Sequence, residues 1–228
     1  MGRVVVIEFV SLDGIVSDPD GSSVTAVGGW AFRHGPESVA GDKFRLGPVM
    51  DGGVMLLGRS TWELFSRIWP NRTDEFSIRM NKMAKLVASR TLTDASAWSN
   101  SELLDAELTE VVRQETRDVV VAGSLSVVRA LQEADLVDEY RLLTFPSVLG
   151  IGEKLFAAVD TPVHLRLVSA VQAGVAVLAT YERSEGQGRP NAAKRSSSEK
   201  TRLWLMPSAV TVMTCRVCSR CAPWPSPR

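Results

Sequence analysis

Three short stretches carry residue types suited to holding phosphate. In the first, the apolar run 54–57 ends at Gly58, and Arg59, Ser60 and Thr61 lead into Trp62-Glu63-Leu64-Phe65. A buried strand would turn there into a helix, whose N-terminus offers unpaired N–H groups and partial positive charge. Ser60 and Thr61 are of the types that cap such an end, and Arg59 adds a cation. The turn therefore reads as a phosphate seat or as an ordinary capped turn with a surface arginine. In the second, the run 85–92 leaves a short strand through Ser89, Arg90 and Thr91. A hydroxyl beside an arginine at a strand end suits a second phosphate contact, and a plain polar turn is the other reading. In the third, the strand-like run 118–122 passes through Gly123 and Ser124 into a helix expected over 125–134, with Ser124 as its cap. Strand, small residues, then helix N-terminus beginning at Leu125 is a geometry that accepts a pyrophosphate.

The elements that must position these turns alternate. A first strand is expected over 3–10, and Ser11-Leu12-Asp13-Gly14 follows it as a turn. Residues 15–30, rich in Gly, Ser and Asp, form a long loop that ends in Gly28-Gly29-Trp30, and long loops in compact domains are often functional. A helix is expected over 36–50, opened by Pro36 with Glu37 beside it, then short helices or strands over 74–83, 98–100 and 103–115. Residues 138–145 alternate as a strand. The alternating runs 164–171 and 174–181, joined by Gln172-Ala173, read as a hairpin. The pattern gives an α/β domain with a mostly parallel central sheet, flanking helices and a C-terminal antiparallel hairpin.

Composition narrows the function classes. The chain has 228 residues, 45% of them hydrophobic, and no stretch near the roughly 20 apolar residues of a membrane span. The N-terminal apolar run is too short for a signal peptide and is interrupted by Glu8, so a cytoplasmic body is expected. The formal net charge is zero, but residues 184–228 hold eight basic and two acidic residues, which leaves residues 1–183 at −6. An acidic body argues against nucleic acid as a partner. All three cysteines (Cys215, Cys218, Cys221) lie in the tail, which contains no histidine, so a closed four-ligand metal site is not expected. The tail, with five of the eleven prolines, reads as a disordered or non-homologous extension; the domain is expected over 1–183.

Taken in order, these motifs resemble the dihydrofolate reductase-like superfamily, and most closely the C-terminal reductase domain of bifunctional riboflavin-biosynthesis deaminase-reductases and its stand-alone relatives. The resemblance rests on Ser11-Leu12-Asp13-Gly14, Gly29-Trp30, the stretch 57–63, the stretch 87–92, Ala122-Gly123-Ser124, and 136–140 with 146–156. It implies an NADPH-dependent oxidoreductase that transfers hydride to a small heterocyclic or ribosylamino substrate, such as 5-amino-6-(5-phosphoribosylamino)uracil. A dihydrofolate reductase and a non-catalytic NADPH-binding protein are the alternatives. The resemblance implies that Gly58, Arg59, Ser60 and Thr61 hold dinucleotide phosphates. Ser89, Arg90 and Thr91 would lie near the adenosine 2′-phosphate, and Gly123, Ser124 and Leu125 at the pyrophosphate. Asp13, Gly14 and Trp30 would border the substrate, with Asp13 and Glu37 as candidates for orientation and proton delivery. It also implies a homodimer. Two departures stand out: Ala122-Gly123 replaces the Gly-Gly pair of dihydrofolate reductases, and the spacing from Trp30 to Glu37 does not match their acid. His34 is a further possible acid, expected to face solvent, and His164 is expected to be structural.

Overall fold

In a computed structural model, which describes residues 1–156 and 162–184, eight strands form one sheet with helices on both faces. The strands are β1 (Val4–Ser11), β2 (Val54–Gly58), β3 (Ala84–Ala88), β4 (Ser101–Leu103), β5 (Val119–Ala122), β6 (Glu139–Phe145), β7 (Leu165–Ala173) and β8 (Ala176–Arg183). The helices are α1 (Val49–Gly52), α2 (Arg59–Ile68), α3 (Glu75–Lys82), α4 (Leu108–Gln114) and α5 (Leu125–Glu133). The sheet order is β4-β3-β2-β5-β1-β6-β8-β7, parallel throughout except where β8 pairs antiparallel with β6 and with β7.

The central strands β1, β2 and β5 are near-continuous apolar runs because both faces are covered. Side-chain alternation splits each strand between two cores. Val4, Val6 and Val10 of β1 join Val121, Leu142 and the α5 residues Val127, Val128 and Leu131 on one face. Val5 and Ile7 join Met55, Leu57, Trp62 of α2 and Met80 of α3 on the other. Trp30, Leu143, Phe145 and Leu178 form a third cluster at the hairpin end.

Several boundaries differ from those expected. No helix spans 36–50: Pro36–Ser38 is a single 3-10 turn, and α1 begins only at Val49. Gly41 and Gly47 take positive φ, Pro48 cannot donate, and the Asp42 carboxylate accepts from the Leu46 and Gly47 amides, so side chain and turns replace the helical ladder. Residues 98–100 are not a strand. Trp98 is instead buried, with its Nε1 donating to Asn81, and pairing starts at Ser101. Leu103 belongs to β4, so α4 starts five residues later than expected, at Leu108, where the Glu107 carboxylate caps it. The hairpin turns at Gly174-Val175 rather than at Gln172-Ala173, because Gly174 supplies the φ of +63° that the turn requires. The expectations for 185–228, cysteines included, lie outside the described residues.

Candidate functional site

Parallel strands all release their chains at the same edge, and β3, β2 and β5 are neighbours. Gly58 pairs with Ala88, and Leu56 with Val121, so the turns after these strands open side by side. They line one open groove of about 420 Å³, bounded by 58–61, 88–91 and 123–126. The ten residues expected at three separate turns (Gly58, Arg59, Ser60, Thr61, Ser89, Arg90, Thr91, Gly123, Ser124 and Leu125) all border it. Ser126 joins them without having been singled out.

The hydroxyls do not cap the helices. α2 begins at Arg59, so its cap is Gly58, and neither α2 nor α5 has a side-chain cap. Thr61 Oγ1 donates instead to the Gly123 carbonyl at 2.9 Å, and Ser124 Oγ accepts from the buried Gly58 N–H at 2.9 Å. The two hydroxyls thus tie the first turn to the third. The first-turn amides of both helices are left to whatever enters the groove. A Cβ at Gly58 would meet only ordinary contacts, the nearest being Val127 at 3.6 Å, whereas Gly123 takes φ +59°, which favours glycine. Neither glycine puts side-chain bulk into the groove that it borders. Arg59 is half exposed, its nearest acid being Glu63 at 3.9 Å. The Ser89 hydroxyl accepts from the Thr91 and Leu92 amides, which shapes a turn that leaves Arg90 exposed. Two helix N-termini, two arginines and glycines without side-chain bulk line the cleft, a donor set suited to phosphate. The donor set fits a phosphorylated dinucleotide such as NADPH.

The other candidates do not line this groove. Asp13 accepts from Ser11 Oγ at 2.6 Å and from the Leu149 and Gly150 amides, which fixes the 146–150 segment beside β1. The Ser11 hydroxyl and those amides pull its carboxyl down to about 2, so it is ionised and bonded. Gly14, at φ +84°, makes the turn that lets the Leu155 amide reach its carbonyl. Trp30 is buried in the third cluster with Nε1 on the Ser17 carbonyl and its ring edge-on to Phe145. Glu37 is exposed on the 3-10 turn. His34 does not face solvent freely: Nε2 sits 2.9 Å from Ser147 Oγ and the ring leans on Phe145. His164 precedes β7 and is exposed. The long loop is organised by the buried Asp18 carboxylate, which accepts from the Ser23 amide and from the Thr25 amide and hydroxyl.

One buried residue, next to the Gly123 amide, stands apart from these candidates. Glu8 on β1 is buried, and its Oε1 has no partner. The signal was present as a single carboxylate inside the apolar run 4–10.

Comparison with known proteins places this architecture. The sequence profile of the RibD C-terminal domain family matches residues 3–179. An uncharacterized Bacillus subtilis protein, YyaP, is 28% identical over 124 residues, which are 51% of this chain and 65% of that protein. A Shewanella sp. PV-4 protein described as belonging to riboflavin biosynthesis superposes with a TM-score of 0.61 at 18% identity, over 80% of this chain and 99% of that one. Acinetobacter baumannii RibD gives 0.53 at 18% identity over 81% of this chain, which thus spans 58% of that protein. These structural likenesses bear on the fold. The profile match over most of the chain establishes that this protein is a member of the RibD C-terminal domain family.

Proposed function

We propose that the chain is an NADPH-dependent reductase that delivers hydride to a small heterocyclic or ribosylamino substrate of the 5-amino-6-(5-phosphoribosylamino)uracil kind. The observation that carries this reading is the convergence of three strand ends on one groove with two uncapped helix N-termini and two arginines. Membership of a reductase family supports the reaction class.

When bound, NADPH supplies the hydride; the chain binds, orients and excludes water. In this reading the amides at 59–61 and 124–126 hold the diphosphate. Arg59 pairs with phosphate oxygens, and Arg90 with Ser89 meets the adenosine 2′-phosphate, which NADH lacks. The tie between Thr61 and Gly123 and that between Gly58 and Ser124 keep the two amide sets in register, so the cleft needs little reorganisation on binding. Asp13 acts indirectly, holding 149–150 in place at the end of β1. The chain pairs as a homodimer through the edge strand β7, whose Leu167 and Val168 are about half exposed.

The test is a fluorescence titration of the full chain with NADPH and with NADH. NADPH binds the tighter. Arg90→Ala erases that preference by weakening NADPH alone, and Arg59→Ala weakens both, each by about tenfold or more. Failure of the folded wild type to bind either dinucleotide removes the proposal. Turnover of the ribosylamino pyrimidine with NADPH oxidation at 340 nm then tests the substrate class.

A further inference from the structure

The described residues contain several buried ionisable side chains, and all but one are satisfied. Lys85 on β3 donates its ammonium to the Asn81, Met83 and Ser99 carbonyls and lies 4.3 Å from the Trp98 ring. Glu139 on β6 takes Arg3 and Arg141. Asp18 is surrounded by loop amides. Glu8 is 5% exposed, and its Oε1 has no hydrogen-bond partner. A buried polar atom in that state is costly, and a fold tolerates it where a ligand completes it.

Its position says which ligand. Ile7 pairs with Ala122, the last residue of β5, so Glu8 stands one step further along β1, where β5 has already turned away at Gly123. On its other side it pairs with Leu142 of β6. Alternation puts it on the face of Val6 and Val10, the face that α5 covers. It is thus beside the uncapped start of α5, and the Gly123 amide, which borders the groove, is the one group that favours its ionised form. Burial outweighs that amide and pushes the carboxyl up to about 8, so at neutral pH it carries its proton and can donate as well as accept.

We infer that Glu8 is a ligand-binding residue at the inner end of the groove, where its carboxyl hydrogen-bonds an uncharged polar group of the bound dinucleotide, a ribose hydroxyl or a carboxamide, inward of the diphosphate. A neutral hydroxyl or amide is the matching partner, because it offers both an acceptor for the carboxyl proton and a donor for the unpartnered Oε1, whereas a phosphate offers acceptors alone. The inference rests on the dinucleotide reading above.

The opposing effects of one substitution test it. Glu8→Met, similar in volume, removes an unsatisfied buried oxygen, so the ligand-free protein melts at a higher temperature than wild type. The same change weakens NADPH by about tenfold, and Glu8→Gln, which keeps both a donor and an acceptor, recovers part of the loss. Binding of 2′,5′-ADP, which reaches only the arginine end, is unchanged. If 2′-phospho-ADP-ribose loses affinity in step with NADPH, the partner is a ribose hydroxyl. If it does not, the partner is the carboxamide. Either result supports the assignment. A lower melting temperature for Glu8→Met with NADPH affinity unchanged, or an equal loss for all three ligands, overturns it in favour of a structural role. Wild type that binds none of the three removes the dinucleotide reading itself, so the two failures are told apart.

Discussion

The molecule treats its helix N-termini in two ways. α3 and α4 are closed by side chains: the Asp74 carboxylate accepts from the Ser77 amide, and the Glu107 carboxylate accepts from the Thr109 and Glu110 amides. α2 and α5 have no side-chain cap, although Ser60, Thr61 and Ser124 stand within reach of their ends. The difference lies in what the hydroxyls do. In the open pair Thr61 and Ser124 join one turn to the other and leave the amides free, so the same dipole that a carboxylate neutralises at α3 remains available to an anion at α2 and α5. At α3 and α4 the cap completes the helix start, whereas at α2 and α5 the first-turn amides stay open to the groove.

Giving an open helix a cap should break this contrast most severely. Gly58 has extended backbone angles, and a Cβ there meets only ordinary contacts, so Gly58→Asp is sterically admissible. Its carboxylate closes the α2 amides and faces the phosphate, and NADPH affinity falls by more than about a hundredfold in a titration while the fold is kept. Removing a tie comes next. Ser124→Ala leaves the buried Gly58 N–H without its acceptor, which costs about 1–3 kcal/mol in denaturant unfolding, and it weakens NADPH as well because the two amide sets lose register. Removing a cap from a closed helix does the reverse: Asp74→Ala lowers the melting temperature by a few degrees and leaves NADPH affinity as it was. An Asp74→Ala protein with impaired binding would erase the distinction between the two kinds of helix start.

The smallest effect concerns pH. Asp13 is depressed from 3.8 to about 2 by its hydroxyl and amide donors, so its contribution is complete above the unfolded value and disappears as the pH falls from about 4 towards 2. Over that window the amides of Leu149 and Gly150 should lose hydrogen-exchange protection, and Asp13→Ala should show the same loss at neutral pH.

The three turns that line the groove were legible in outline because turn and helix-start chemistry is local. Gly58-Arg59-Ser60-Thr61 and Gly123-Ser124-Leu125 each combine a strand end, a small residue and a helix start, and each can be read without knowing its neighbours. The roles of the hydroxyls were not legible. A serine before a helix looks like a cap, and nothing local says that Ser124 will find the Gly58 amide 66 residues away. Asp13 illustrates the same limit. Its turn is evident, but its partners Leu149 and Gly150 come from another segment, and they turn an apparent free acid into a fixed one. The failed helix over 36–50 and the misplaced hairpin turn have nearer causes, in Asp42 and in the left-handed angle of Gly174.

The sequence by itself determined the strand and helix alternation, the acidic body and basic tail, and the three phosphate-type turns, because periodicity, charge and turn chemistry act over a few residues. Only the tertiary structure decided that β3, β2 and β5 lie side by side, that α2 and α5 start at the groove without side-chain caps, and that Glu8 is buried beside Gly123 with its Oε1 unpartnered. Those outcomes depend on which strands pair and in what register. Pairing is set by packing between residues far apart in the chain, which no local pattern contains.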